Sequence, residues 1–265
     1  MPDFRPIGIF DSGLGGLTVV RAIREALPGE SIVYVGDTAR VPYGNKSAET
    51  VQEYSRQITE FLLSQDAKLI VVACNTASAL ALKYLHAQFD VPILGVIEPG
   101  VSAALKSTKN GHVGVIGTIA TIASNAYQNG LLYARPDLVI SARPCPLFVP
   151  LVEEGWLDGP IVEQIIKEYI QPIDASSIDT LVLGCTHYPL LKPALQSFVK
   201  NGTVLVDSAS EVAASTTRLL TNKRLGSDGD QGNFKCYVTD LPARFESVAS
   251  RFLGASIPAA QVIHL

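Results

Sequence analysis

Two cysteines stand in matched surroundings. Val71-Val-Ala-Cys74-Asn-Thr-Ala-Ser78 and Val182-Leu-Gly-Cys185-Thr-His-Tyr-Pro189 each place a thiol at the end of an apolar run, followed by small polar residues. A cysteine between a strand and a helix lies at the carboxyl edge of a sheet, where α/β proteins bind ligands. Helix N–H groups at such a position lower a thiol pKa from about 8.5 toward neutrality. Either cysteine alone reads as a small buried hydrophobe; the matched pair points to chemistry. Disulfide exchange is one use for two thiols, but it ordinarily employs closely spaced cysteines. The other is two-base proton transfer at carbon, in which one group removes a proton from one face and its counterpart returns one to the other.

Other residues could serve such a site. Asp11 follows the first apolar run, in Phe10-Asp-Ser-Gly-Leu-Gly-Gly16. Its glycine-rich turn lets backbone N–H groups approach a carboxylate, although an aspartate there is equally a turn cap. Gly13-x-Gly15 near a strand end, with Asp37 at the end of the second strand, suggests a nucleotide, but the third glycine of the dinucleotide fingerprint would fall at Thr18, which argues against one. His187, two residues after Cys185, can tune or share its proton. Tyr43 and Gly44, in the loop Arg40-Val-Pro-Tyr-Gly-Asn45, are candidate ligand contacts. Glu153-Glu154-Gly155 reads on its own as a solvated charge pair. His86, His112 and His264 read as structural, and no spacing resembles a metal motif.

The elements that must position these residues follow an alternating pattern. Apolar runs at Ile7–Phe10, Ile32–Val35, Leu69–Ala73 and Ile93–Val96 read as buried parallel strands, with helices at Leu17–Ala26, Ala48–Ser64 and Thr76–Gln88 between them. Ser47 and Glu49 signal one helix start; Pro28-Gly29 stops another. Strands at Val113–Ile116, Leu138–Ser141, Leu181–Leu183 and Val204–Val206 alternate with helices at Ile119–Tyr133, Leu157–Tyr169 and Pro189–Val199. A helix at Glu211–Leu220, a strand at Lys235–Thr239 and a helix at Pro242–Phe252 complete the chain. The expected architecture is α/β, with two pseudo-symmetric, doubly wound lobes of mostly parallel sheet and the active site in the cleft between them. The first lobe takes residues 1–98 plus 208–265 and the second 99–207, with the boundary near Glu98-Pro99-Gly100 and a return crossing near Asp207-Ser208.

Composition agrees. The chain has 265 residues, 47% of them hydrophobic and 17% charged, enough apolar material for two cores. A net charge of −4 without a basic cluster gives no footprint for nucleic acid. No run reaches the roughly 18 apolar residues of a membrane span, and Met1 to Phe10 is unlike a secretory signal, so a cytoplasmic location is expected.

Together, Ile-Phe-Asp11-Ser12-Gly-Leu-Gly-Gly-Leu-Thr, Gly36-Asp37-Thr38-Ala-Arg-Val-Pro42-Tyr43-Gly44, Ala73-Cys74-Asn75-Thr76-Ala77-Ser78, Pro-Leu-Phe-Val-Pro-Leu-Val-Glu153-Glu154-Gly155 and Leu-Gly-Cys185-Thr186-His187-Tyr188-Pro189-Leu190 resemble the aspartate/glutamate racemase family, in particular its glutamate racemases. The resemblance runs from residue 7 to about residue 210. It implies interconversion of L- and D-glutamate without cofactor or metal, supplying D-glutamate for peptidoglycan, by a homodimer. Carried over by motif, Cys74 and Cys185 would be the acid/base pair, Asp11 and His187 their auxiliaries, and Glu153 a further candidate near His187. Ser12, Pro42, Tyr43, Gly44, Asn75, Thr76, Thr118 and Thr186 would hold the substrate beside them. An aspartate or hydantoin racemase, or a non-catalytic amino-acid-binding protein, is the alternative.

Overall fold

The computed structural model describes residues 2–174 and 177–265. All strand pairings in it are parallel, in two sheets. The first sheet contains β1 (Ile7–Asp11), β2 (Ile32–Gly36), β3 (Leu69–Val72), β4 (Ile93–Gly95), β9 (Phe234–Val238) and β10 (Gln261–Val262), in the order β10-β9-β2-β1-β3-β4. The second contains β5 (His112–Gly117), β6 (Val139–Pro144), β7 (Thr180–Gly184) and β8 (Val204–Val206), in the order β6-β5-β7-β8. β2-β1-β3-β4 and β6-β5-β7-β8 are the same arrangement, so β3 and β7, the strands that lead to Cys74 and Cys185, are equivalent. β1, β2, β3 and β7 are buried at every position, as the continuous apolar runs required.

Around the first sheet lie α1 (Leu17–Ala26), α2 (Ala48–Ser64), α3 (Asn75–Leu80) and α4 (Leu82–Gln88). The Ser47 hydroxyl accepts from the Thr50 N–H at 3.3 Å and caps α2, a device worth about 1 kcal/mol. Around the second lie α5 (Ile97–Ser107), α6 (Ile119–Ala123), α7 (Ala126–Ala134), α8 (Phe148–Glu153), α9 (Pro160–Asp174) and α10 (Lys192–Gln196). After β8 the chain enters α11 (Ala209–Lys223), which packs on α1 and α5, and then passes through β9 and α12 (Pro242–Leu253) into the first sheet.

Several elements depart from the sequence pattern. Residues 98–100 form the first turn of α5 rather than a linker, because proline is tolerated where a helix has no N–H partner to lose. The helix expected over 76–88 turns at Ala81 into two. The one expected over 119–133 breaks at Asn125, which adopts the left-handed conformation (φ 56°) that asparagine tolerates. Pro189–Val199 resolves into a 3₁₀ turn, Tyr188–Leu191, and the short α10. α8 is concealed by Pro150 in its first turn, and α9 starts at Pro160 and continues past Pro172 to Asp174. Among the described residues, no helix is long and apolar enough to cross a membrane.

Candidate active site

The carboxyl ends of β1, β2, β3, β5 and β7 open onto one cavity of about 410 Å³. Cys74 and Cys185 both line it, one from each sheet. Ser12, Pro42, Tyr43, Gly44, Asn75, Thr76, Thr118, Glu153, Thr186 and His187 line it as well, and Asp11 lies fully buried behind Thr186. The sequence-derived residues therefore converge on a single site.

Cys74 is the N-cap of α3. Its Sγ receives the Ala77 N–H at 3.5 Å and lies 3.7 Å from the Ser12 hydroxyl. These contacts favour a thiolate, as expected of a helix N-terminus, but they do not prevail. Burial, followed by the negative charge of Asp11, pushes the Cys74 thiol up to about 12. Burial thus outweighs the helix N-terminus that the sequence offered to lower this thiol's pKa. Asp11 accepts from the Gly13 N–H at 2.9 Å and from the Thr186 hydroxyl at 3.3 Å. Burial raises its carboxyl above the usual range, while the charge of His187 and the N–H groups of Gly13 and Gly16 resist.

The Cys185 side is built differently. No long helix starts there, only the 3₁₀ turn Tyr188–Leu191, and an imidazole takes the helix's place. His187 Nδ1 lies 3.9 Å from Cys185 Sγ, and Nε2 lies 3.1 Å from Glu153 Oε1. Burial alone would lower the His187 pKa; hydrogen bonds to Cys185 and Glu153 and their negative charge outweigh it and raise it to about 10. Glu153, expected from its immediate sequence to be a solvated charge, is the outer member of this chain, with its side chain 28% exposed. The His187 ring also meets Phe252 of α12 edge-on, with centroids 5.3 Å apart.

Glycines permit the close approach of these loops. A Cβ at Gly15 would stand 2.1 Å from Thr186 Oγ1 and 2.6 Å from His187 Nδ1; one at Gly44 would stand 2.6 Å from Thr118 Cβ. The Pro42–Gly44 loop rests on Asp37, which accepts from Arg40 Nε at 2.7 Å, from the Thr239 hydroxyl at 2.9 Å and from the Tyr43 hydroxyl. Asp37 is thus a buried strut below the cavity. Thr76, Thr118 and Thr121 form a hydroxyl triangle joining α3 to α6, with sides of 2.9, 3.2 and 2.9 Å.

Sequence reasoning missed Thr121, the apolar wall Ile119, Leu147, Val149 and Pro150, and the buried Tyr127 behind Asn75. The wall residues 147–150 lie in the same Pro-Leu-Phe-Val-Pro-Leu-Val stretch that carried the resemblance, and could have been found there. Tyr127 gave no signal beyond that of an ordinary core tyrosine. Among the described residues, no cluster of three or more His, Cys, Asp or Glu side chains could hold a metal.

The chain is similar to known proteins over its whole length. A glutamate racemase of Syntrophus aciditrophicus is 50% identical over 265 residues, covering 100% of this chain and 98% of that protein. The crystal structure of a glutamate racemase from Bacillus anthracis superposes with a TM-score of 0.94 at 40% identity, covering 98% of this chain and 97% of that one. That of the Francisella tularensis glutamate racemase in complex with D-glutamate gives a TM-score of 0.93 at 39% identity, covering 99% and 98%. A family model described as Asp/Glu/Hydantoin racemase spans residues 7–216, from the strand that carries Asp11 to beyond the His187 loop. With both cysteine loops inside that span, the chain belongs to the Asp/Glu/Hydantoin racemase family.

Proposed function

We propose that this protein is a glutamate racemase that interconverts L- and D-glutamate by proton transfer at Cα between two cysteines. The observation that carries this reading is the meeting of Cys74 and Cys185, from equivalent strands of two sheets, in one cavity sized for a small molecule. Inversion at a stereocentre needs a base on one face and an acid on the other. The glutamate racemase relatives supply the choice of substrate.

In this reading burial holds Cys74 as the thiol, and Cys185, whose Sγ lies 3.9 Å from His187 Nδ1, is its counterpart on the other face. D- and L-glutamate would exploit the pair in opposite directions. Proton loss at Cα builds negative charge on the α-carboxylate. Hydroxyl and amide donors at Ser12, Asn75, Thr76 and Thr186 line the cavity and would stabilise it. Asp11 would take up or return the proton at Cys74, as His187, steadied by Glu153, would at Cys185. Backbone and side chains at 42–44 and Thr118 would hold the rest of the substrate. We place the lobe boundary at 98/99 and 207/208, following membership of the two sheets, and expect a cytoplasmic homodimer whose D-glutamate serves peptidoglycan synthesis.

The test is proton NMR of D- and L-glutamate in D2O with the protein alone. Deuterium should enter Cα as optical rotation decays, and Cys74→Ala and Cys185→Ala should each abolish net racemisation. Absence of exchange from either enantiomer with folded, reduced protein would overturn the glutamate reading; exchange of aspartate instead would move the assignment within the family.

A further inference from the structure

Asn75, the residue after Cys74, is 3% exposed and lines the cavity from the first turn of α3. An asparagine amide has two unlike ends, and which end faces a ligand decides whether it attracts or repels a carboxylate. Here one end is occupied. The Tyr127 hydroxyl, from α7 beside the second sheet, donates to Asn75 Oδ1 at 2.7 Å. Tyr127 is itself buried, 1% exposed, and burial holds its pKa above the usual tyrosine range, so it stays a donor.

The ring is held tightly. A Cβ at Gly100 of α5 would come within 2.8 Å of Tyr127 Cε1 and of its hydroxyl oxygen; one at Gly184 would come within 3.0 Å of Cε2. Gly184 directly precedes Cys185. One tyrosine therefore touches both cysteine loops, with its hydroxyl on the residue after Cys74 and its ring on the residue before Cys185. It reaches this place because α6 and α7 are separated at the left-handed Asn125.

We propose that Tyr127 is a positioning residue for catalysis. By occupying Asn75 Oδ1, it turns the Asn75 Nδ2 donors into the cavity, toward the α-carboxylate of the bound amino acid. Without the hydroxyl the amide is free to rotate and present its oxygen to the anion. The inference rests on the reading of the cavity as an amino-acid site.

The experiment is steady-state kinetics on full-length Tyr127→Phe, Asn75→Ala and the double variant, with L- and D-glutamate as substrates and melting temperature as the fold control. Phenylalanine keeps the ring contacts with Gly100 and Gly184. Losing one charge-assisted contact is expected to raise KM about tenfold in Tyr127→Phe, with kcat changed far less. Because Tyr127 acts through Asn75, its substitution should add nothing in the Asn75→Ala background. An unchanged KM, or losses that multiply in the double variant, would overturn the proposal. Asn75→Asp tests the orientation without touching Tyr127. It keeps an acceptor for the tyrosine but turns a negative oxygen to the substrate, so it should fall below Asn75→Ala; retention of more activity than Asn75→Ala would also overturn the proposal. An inactive wild-type protein would instead sink the glutamate reading itself.

Discussion

The proposed two-base chemistry requires one thiol and one thiolate at the same moment, and the two cysteines have unlike surroundings. Asp11 and burial keep Cys74 protonated, whereas His187 faces Cys185. Alkylation of the empty enzyme with a limiting amount of iodoacetamide at neutral pH should therefore modify Cys185 before Cys74, as read by peptide mass spectrometry. The reverse order would exchange their resting roles. The His187 pKa is raised from 6.5 to about 10, so its protonated form stabilises the fold. That contribution is complete below about pH 6.5 and fades as pH rises through about 10. In urea titrations the gap between wild type and His187→Asn should be widest near pH 6 and close toward pH 10; a gap that widens upward would mean that the folded state holds the ring neutral. The identities of Cys74, Cys185, Asp11 and His187 were legible because motif and chemistry coincide at them. The inequality of the two thiols was not, since a helix N-terminus is visible in sequence whereas desolvation depends on what packs above it.

Elements set how closely the residues meet. The turn between β1 and α1 lies against the Thr186–His187 loop, and only a residue without a side chain fits at Gly15. Gly15→Ala puts a methyl 2.1 Å from Thr186 Oγ1, 2.6 Å from His187 Nδ1 and 2.7 Å from Thr186 Cβ, so its melting temperature is the fold control. It must push Thr186 and His187 aside, and kcat/KM should fall by about 10² for a displacement near 1 Å. Near-normal kcat/KM would show that the loop yields without cost to the site. Strands were legible as apolar runs, since a parallel sheet buries both faces. Helices α1 and α2 ran over the residues read for them, but α5 and α8 went unread, with Pro99 and Pro150 in first turns, where proline is harmless. The break at Asn125 was likewise invisible, yet it places Tyr127 behind Asn75.

At the scale of the molecule the two sheets place their chemistry at carboxyl edges, which leaves the opposite edge of the first sheet free for structural charge. Lys68, just before β3, is fully buried between Glu30 Oε2 at 2.6 Å and the Asp3 carbonyl at 2.6 Å. Glu30 Oε1 accepts the Ser227 N–H at 2.7 Å, so this pair ties the N-terminal segment to the connection between α11 and β9. β3 separates it from Cys74 at the other end of the same strand. A buried pair is costly to break, because the remaining charge has no water to return to. Lys68→Met should cost about 3–5 kcal/mol in urea titrations, and replacing Glu30 as well should recover much of that loss. Racemisation by the folded fraction should be unchanged in both variants, because the reacting atoms lie at the far edge. A fall in kcat/KM without a fall in stability would show instead that β3 transmits strain along its length, and that the two edges of the sheet are not separable.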